Sequence, residues 1–193
     1  MVATLPAIRC LILGDDQIDL TMMLQKYAKM SGLEYDNKNN ELATAFRGEK
    51  CVFIAGNQEN RTRQDVHVQM MCISVASQFD ANLQNIKASL CSEVPFVVVG
   101  MEIEKRTEKF DEFMPMPENE AKKRAHLQGA NTYVECSERT GEGIEDAFEE
   151  AFTIGRQFAI EHIRRRREAA KMTTIDKNCS DAKQDGINAC ITQ

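Results

Sequence analysis

The chain of 193 residues contains no run of about 18 apolar residues, so no segment reads as a membrane-spanning helix. It has no excess of basic residues either. The net charge of −6 excludes broad electrostatic binding to nucleic acid, and any anionic partner has to be met locally. There is no CxxC pair, and seven cysteines, an odd number, fit neither a disulfide framework nor a zinc cluster. Cys10, Cys51, Cys72 and Cys136 fall in apolar, strand-like runs and are expected as small core residues. The opening MVATLPAIRC lacks the basic start and apolar stretch of a signal peptide, which makes a cytosolic protein the expectation. His67, His126 and His162 share no ligand spacing, and the pairs Met22/Met23 and Met70/Met71 read as core filler rather than a metal box.

What is present is an alternation of short apolar runs with helical patterns. The runs are Ile8 to Leu13, Cys51 to Ala55, Val68 to Val75, Phe96 to Gly100 and Thr132 to Cys136. That rhythm predicts an α/β fold in three layers, a mostly parallel sheet with helices on both faces. A first helix is expected from about Leu20 to Met30, ending near Gly32. Phe79, Leu83, Ile86 and Leu90 mark a second, and Glu118 to Leu127 behind Pro117 a third. The last is the clearest, with Ile144, Ala147, Phe148, Ala151, Phe152, Ile154 and Phe158 on one stripe and Glu142, Glu145 and Asp146 at its N-terminal end. Between the first helix and Cys51 the chain is polar and rich in Asn, and reads as loop with one edge strand near Leu42 to Phe46. The expected organisation is a domain over 1–163 and a flexible tail over 164–193, where apolar periodicity is lost after Arg164 to Arg167.

Ile8 to Thr21, IRCLILGDDQIDLT, has the strand-turn-helix frame in which α/β proteins hold phosphate. Against the pattern GxxxxGK[ST], Gly14 and Thr21 match the first Gly and the Ser/Thr. Asp19 stands at the second Gly and Leu20 at the Lys, with Asp15, Asp16, Gln17 and Ile18 between.

Several segments in order carry a resemblance. VECSERTGEGIEDAFEEAF (Val134 to Phe152), PFVVVGMEIEKR, CISVASQFDANLQNI and MPMPENEAKKRA together resemble the small GTPases of the Ras superfamily, and the Rho branch most. The likeness covers roughly Ile8 to Phe152 and lies in the joint order of the segments. It implies a P-loop-type G domain, GTP or GDP with Mg2+ as ligand, protein effectors and regulators as partners, and cytoskeletal, polarity or trafficking roles.

The same resemblance shows how far the nucleotide site departs from its type. Thr21 is kept as the magnesium-side hydroxyl, but Leu20 replaces the phosphate-binding Lys and Phe53 the magnesium-side Asp, three residues before Gly56. Asn57 or Gln58 stands at the water-positioning Gln. The guanine-reading motif becomes Met101, Glu102, Ile103 and Glu104, of which Glu104 can still accept from guanine; the next keeps Cys136 and Ser137 and puts Glu138 where a small Ala belongs. Neither Asn39 nor Thr44 aligns as the first-switch Thr, and Arg61 and Arg63 read as exposed second-switch residues. Losing one charge-assisted Lys contact costs about 1.5–3 kcal/mol, and each carboxylate about 4–5 Å from a phosphate charge adds roughly 3–4 kcal/mol at an effective dielectric near 20. The gap between nanomolar and millimolar binding is only about 8 kcal/mol. A pseudo-GTPase that presents a fixed surface to effectors is therefore expected. The alternative is an unusual working GTPase that binds through backbone N–H groups, Thr21, Glu104 and Ser137.

The last four residues, Cys190, Ile191, Thr192 and Gln193, fit a C-a-a-X box for prenylation, with Gln at X pointing to farnesyl. One lipid binds a membrane marginally, so Arg164 to Arg167 or acylation of Cys179 would have to add to it, giving a protein peripheral on the cytosolic face. The Arg run reads equally as a solvated helix end, where cations suit the dipole. A phospho-receiver domain shares the acidic pair after the first strand. It also needs an Asp ending the third strand and a Lys after the fifth, and this chain has neither.

Overall fold

The computed structural model describes residues 5–15, 18–56, 65–107 and 114–188, with the backbone alone over 170–188. Its element order is β1 (Ile8–Gly14), α1 (Leu20–Ser31), β2 (Tyr35–Asp36), β3 (Glu41–Phe46), β4 (Glu49–Ala55), β5 (Val68–Ser74), α2 (Phe79–Lys87), β6 (Phe96–Met101), a 3-10 turn (Ile103–Arg106), α3 (Glu118–Leu127), β7 (Thr132–Glu135) and α4 (Ile144–Asn188). The seven strands form one sheet in the order β2-β3-β4-β1-β5-β6-β7. From β4 to β7 the pairing is parallel, and β2 and β3 add antiparallel at one edge. All five apolar runs are strands, and β5 is buried along its whole length, as a parallel strand covered on both faces must be.

Alternation along β1 sorts the core into two layers. Leu11 and Leu13 join Met71, Ile73, Phe79, Leu83, Ala121 and Ala125 under α2 and α3. On the opposite face α1 and α4 meet the sheet through aromatic rings. Phe148 of α4 lies 4.4 Å from Tyr27 of α1 and 4.3 Å from Phe53 of β4, centroid to centroid, and Phe152 lies 5.0 Å from Phe46. The cysteines Cys10, Cys51, Cys72 and Cys136 are free and buried, and burial pushes the Cys51 thiol up to about 12. They behave as core residues. Of the methionine pairs, Met23, Met70 and Met71 are core, whereas Met22 is half exposed on α1.

Two stretches differ from expectation. The Asn-rich segment is mostly strand rather than loop, because Arg47 and Gly48 (φ 51° and 81°) make a two-residue turn of the kind that joins twisted antiparallel strands. The hairpin includes the expected edge strand and extends it to Glu41. Beyond Ile163 the backbone continues as helix to Asn188 instead of losing regular structure. Arg, Glu, Ala, Lys and Met favour helix intrinsically, and Glu161–Arg165 (3.1 Å) and Arg164–Glu168 (3.7 Å) form i,i+4 pairs. The chain divides into two units, Met1–Phe158 and Ala159–Gln193, with the boundary inside α4. Leu90, expected on the α2 stripe, lies past the helix end and is partly buried against the core. Among the described residues, no helix is long and apolar enough to cross a membrane.

Candidate functional site

The site expected from the sequence lies at the C-terminal ends of β1, β4, β6 and β7, and it has two halves. On the phosphate side, β1 stops at Gly14 and the chain turns into α1. Asp15 donates its N–H to Cys72 O (3.4 Å), and Ile18 donates to Asp15 O (3.2 Å). Asp19 is the N-cap of α1, and its Oδ1 accepts from the N–H groups of Thr21 (2.9 Å) and Met22 (3.3 Å). The backbone donors and dipole that make a helix N-terminus attractive to an anion are thus met by the chain's own carboxylate. Asp19 is exposed, and its carboxylate is held over the first turn of α1. A Cβ on Gly14 would stand 3.0 Å from Leu20 Cδ2 and 3.6 Å from Ile18 Cβ, so apolar side chains cover the turn. The Asp15 carboxylate accepts from Asn82 Nδ2 at 2.8 Å. Asp16 and Gln17 lie outside the described residues.

Thr21, the one magnesium-side residue kept, is half-buried and hydrogen-bonded to the Tyr35 hydroxyl, which itself donates to Asn40 Oδ1 (3.3 Å). Burial raises the Tyr35 pKa first, and the nearby Asp19 and Asp36 carboxylates raise it further. Phe53, at the position of the second metal-side group, is fully buried in the aromatic layer. Gly56 gives its N–H to Ile12 O (2.7 Å). Residues 32–34 alone connect α1 to β2, so the place of a first switch loop is taken by the β2–β3 hairpin. Within it Asn39 is bound to Asp36, and Thr44 lies on β3. Asn57, Gln58, Arg61 and Arg63 lie outside the described residues. Among the described residues, no group of three or more His, Cys, Asp or Glu side chains is arranged to hold a metal ion.

The base side is different. Glu102, in the left-handed region at φ 61°, accepts from Ser74 Oγ and pairs with Lys105 Nζ at 2.6 Å. Glu104 holds Arg139 Nε at 3.3 Å through Oε1, while its Oε2 is buried without a hydrogen-bond partner. Glu138 Oε2 is buried and unpartnered in the same way. Ser137 is fully buried, with its Oγ accepting from Thr140 N–H (3.0 Å) and its N–H donating to Glu142 O (2.9 Å). A bidentate brace fixes both loops from below: Arg106 binds Glu135 at 2.5 and 2.6 Å, Tyr133 Oη donates to Glu135 at 2.6 Å, and Arg106 Nε donates to Met116 O. Sequence reasoning missed this brace, since no motif or spacing links residues 106 and 135.

The two halves answer the ligand question oppositely. On the phosphate side the N–H groups of Thr21 and Met22 are taken by Asp19 and Phe53 supplies no ligand atom, which does not suit triphosphate and Mg2+. The base side keeps a buried carboxylate oxygen without a donor, which suits the N–H edge of guanine.

Glu138 also makes a pH dependence. Burial first, then the Glu102 and Glu104 carboxylates, hold its pKa above the usual carboxylate value. A raised folded-state pKa stabilises the fold fully below the unfolded value, and that stabilisation is lost as pH rises through the folded one. Glu138→Gln, which stays neutral, is expected to flatten the fall in melting temperature from about pH 4.5 upward and to raise it at pH 7.5, where the carboxylate is charged beside Glu102 and Glu104. Melting curves across that range that stay parallel for the two proteins would refute this.

Cys190 lies outside the described residues, as does the Cys179 side chain. In the second unit, Arg164 and Arg165 are engaged in the exposed i,i+4 pairs above, each worth a few tenths of a kcal/mol.

No model of a known protein family matches the chain. Curated proteins similar to it include two from yeasts. GTP-binding protein RHO2 of Saccharomyces cerevisiae is 40% identical over 67 residues, 32% of this chain and 34% of that protein. GTP-binding protein rho2 of Schizosaccharomyces pombe is 32% identical over 114 residues, 50% of this chain and 57% of that protein. The chain therefore spans between about a third and rather more than half of the length of these relatives.

Proposed function

We propose that this chain, which is similar over part of its length to Rho-type GTP-binding proteins and folds as a mostly parallel α/β sheet, signals as a pseudo-GTPase. It works as a fixed interaction module that binds protein effectors or regulators, with guanine nucleotide held weakly or not at all and GTP not hydrolysed. One observation carries the reading: the Asp19 carboxylate sits on the Thr21 and Met22 N–H groups at the head of α1, where a phosphate would have to bind. A carboxylate tethered in place competes at very high effective concentration and adds like-charge repulsion to any nucleotide that approaches. The short 32–34 connection supports the same view, because little chain is left there to open and close over a ligand. Membrane attachment through a prenylated Cys190, assisted by Arg164 to Arg167 or by acylation of Cys179, belongs to this proposal.

A second reading is favoured by the unpartnered Glu104 Oε2: the base half binds guanine alone, and affinity is micromolar or weaker because the phosphates gain little.

The test is titration of purified protein with a fluorescent GDP or GTP analogue, with and without Mg2+, beside a thermal-shift control. No saturation up to about millimolar nucleotide, from a protein that melts cooperatively, is the expected result. Binding that is insensitive to Mg2+ and is competed equally by guanosine and GTP selects the second reading. Magnesium-dependent, guanine-selective binding at nanomolar Kd overturns both.

A further inference from the structure

Three carboxylates, Glu102, Glu104 and Glu138, meet in the base half, and two cations answer them one to one. Lys105 pairs with Glu102 at 2.6 Å and Arg139 with Glu104 at 3.3 Å. Glu138 has no ion pair among the described residues, and its Oε2 is buried without a donor, as is Oε2 of Glu104. Facing Glu138 are the Glu102 and Glu104 carboxylates and, at longer range, the Lys105 ammonium; the thiols of Cys72 and Cys136 are also within range of its charge. With all three carboxylates ionised, one charge stays uncompensated in a place where burial penalises it.

The stretch that carries Glu138 is built to move between fixed ends. Ser137 is fully buried, and Gly143 is packed on the Glu135 carbonyl. Between them, Arg139 and Thr140 are exposed, and the turn is closed by Thr140 N–H to Ser137 Oγ (3.0 Å) and Gly141 N–H to Ser137 O (2.8 Å). Its other side rests on α1. Lys26 Nζ donates to Arg139 O at 3.1 Å in an exposed hydrogen bond, and a Cβ added to Gly141 would stand 2.9 Å from Met30 Sδ. Across from it, Glu102 is a left-handed non-glycine residue at φ 61°, a conformation that its contacts with Ser74 and Lys105 maintain. A segment held by a few exposed hydrogen bonds opens at lower free energy than the sheet beneath it.

We propose that residues 138–141 form an acid-closed latch over the base half: with Glu138 protonated the latch lies against Glu102 and Glu104, and with Glu138 ionised it lifts that carboxylate into water and lets go of α1. Each opening releases one proton to solvent. The device goes beyond nucleotide binding, since both of its positions are defined by the chain's own groups. Its direction follows from the environment of Glu138, whose pKa is held above the usual carboxylate value while closed and is ordinary once lifted into water. The lifted fraction therefore grows as pH rises above about 4.5 and levels off when the closed latch has ionised too.

The test is amide hydrogen exchange of the full chain from about pH 5 to about pH 8, with each rate divided by that of an unstructured peptide at the same pH. Protection of the Thr140 and Gly141 amides is expected to fall several-fold across that range in the parent and to stay level in Glu138→Gln. Lys26→Met, which removes the hold on Arg139 O, is expected to lower the protection of both amides by a similar factor at every pH and to leave the slope in place. Up to about 1 M urea the two loop amides should keep their rates, while the amides of the fully buried β5, which exchange only when the sheet unfolds, accelerate. A Glu138→Gln protein that keeps the parent's pH dependence overturns the proposal. So does loop protection in the parent that is constant with pH. Loop amides that accelerate with urea in step with β5 overturn it as well, because the pH effect then belongs to global unfolding.

Discussion

Replacing Phe148 by Ala is expected to cost about 3–5 kcal/mol, the range for removing a large aromatic side chain from a packed core. The residue is fully buried, and its ring is the common neighbour of Tyr27 and Phe53, within 4.4 Å of both. It therefore ties α1 and α4 to β4, and the loss includes ring-ring terms beyond area alone. Phe53 takes its place in this cluster because it is not a carboxylate. A charged group on the same strand position would have to be held in water or on a metal, whereas the phenyl ring is free to join the core. At about 2–4 °C per kcal/mol for a chain of this size, the melting temperature should drop by roughly 6–20 °C. Leu127→Ala is the control. Leu127 is 75% exposed, and a change of less than about 0.5 kcal/mol is expected there. A Phe148→Ala protein that loses less than about 1.5 kcal/mol in urea titration would show that the aromatic layer does not hold α4 down.

The second large effect is expected at Gly143, just before α4. Its φ of 69° is left-handed, and a Cβ there would stand 2.1 Å from the carbonyl oxygen of Glu135 and 3.1 Å from its carbon. Both neighbours are backbone, so no side-chain rotation relieves the contact. Gly143→Ala is expected to cost at least about 3 kcal/mol, of which about 1–2 kcal/mol is the left-handed conformation itself. Gly129→Ala isolates that smaller part, since Gly129 has φ 89° with nothing within 4 Å of the added carbon. Chemical denaturation of the two variants side by side measures the difference, and equal losses would mean that the turn shifts freely. The close approach matters to the candidate site because Glu135 is also the anchor of Arg106 and Tyr133. The loop carrying Ser137 and Glu138 is thus pinned at both ends.

Much of the scaffold was legible because parallel sheets are buried on both faces and announce themselves as apolar runs. Helix starts were legible for a similar reason: Pro117 before α3 and the acidic first turn of α4 are local signals with local causes. The β2–β3–β4 edge was less so, since Asn and Gly serve loops and tight hairpin turns alike. Asp19 is the instructive residue. Its charge at a phosphate-binding position was plain, but whether it would repel a ligand or cap the helix depends on one side-chain direction. The N-cap preference of Asp ahead of a helix is the local signal for the second outcome. On the base side, alignment placed Glu102, Glu104 and Glu138 together, yet only their burial reveals which oxygens lack donors. The helical course of residues after Ile163 was missed because apolar periodicity reports packing, whereas helix there is written in intrinsic propensity.

The position of β1 in the sheet has a consequence for how the protein is made. β1 is bordered on one side by β4 and on the other by β5, both parallel to it and both later in the chain. The β4 side cannot be paired until Glu49–Ala55 has emerged and the β5 side until Val68–Ser74 has, and closing those contacts means ordering the long intervening segments at an entropic cost that local hairpins do not carry. During synthesis, Ile8–Gly14 is an apolar strand with two open edges, so chaperone capture and aggregation of the nascent chain should concentrate on these residues. The window closes once the middle of the chain has been translated, well before α4 exists.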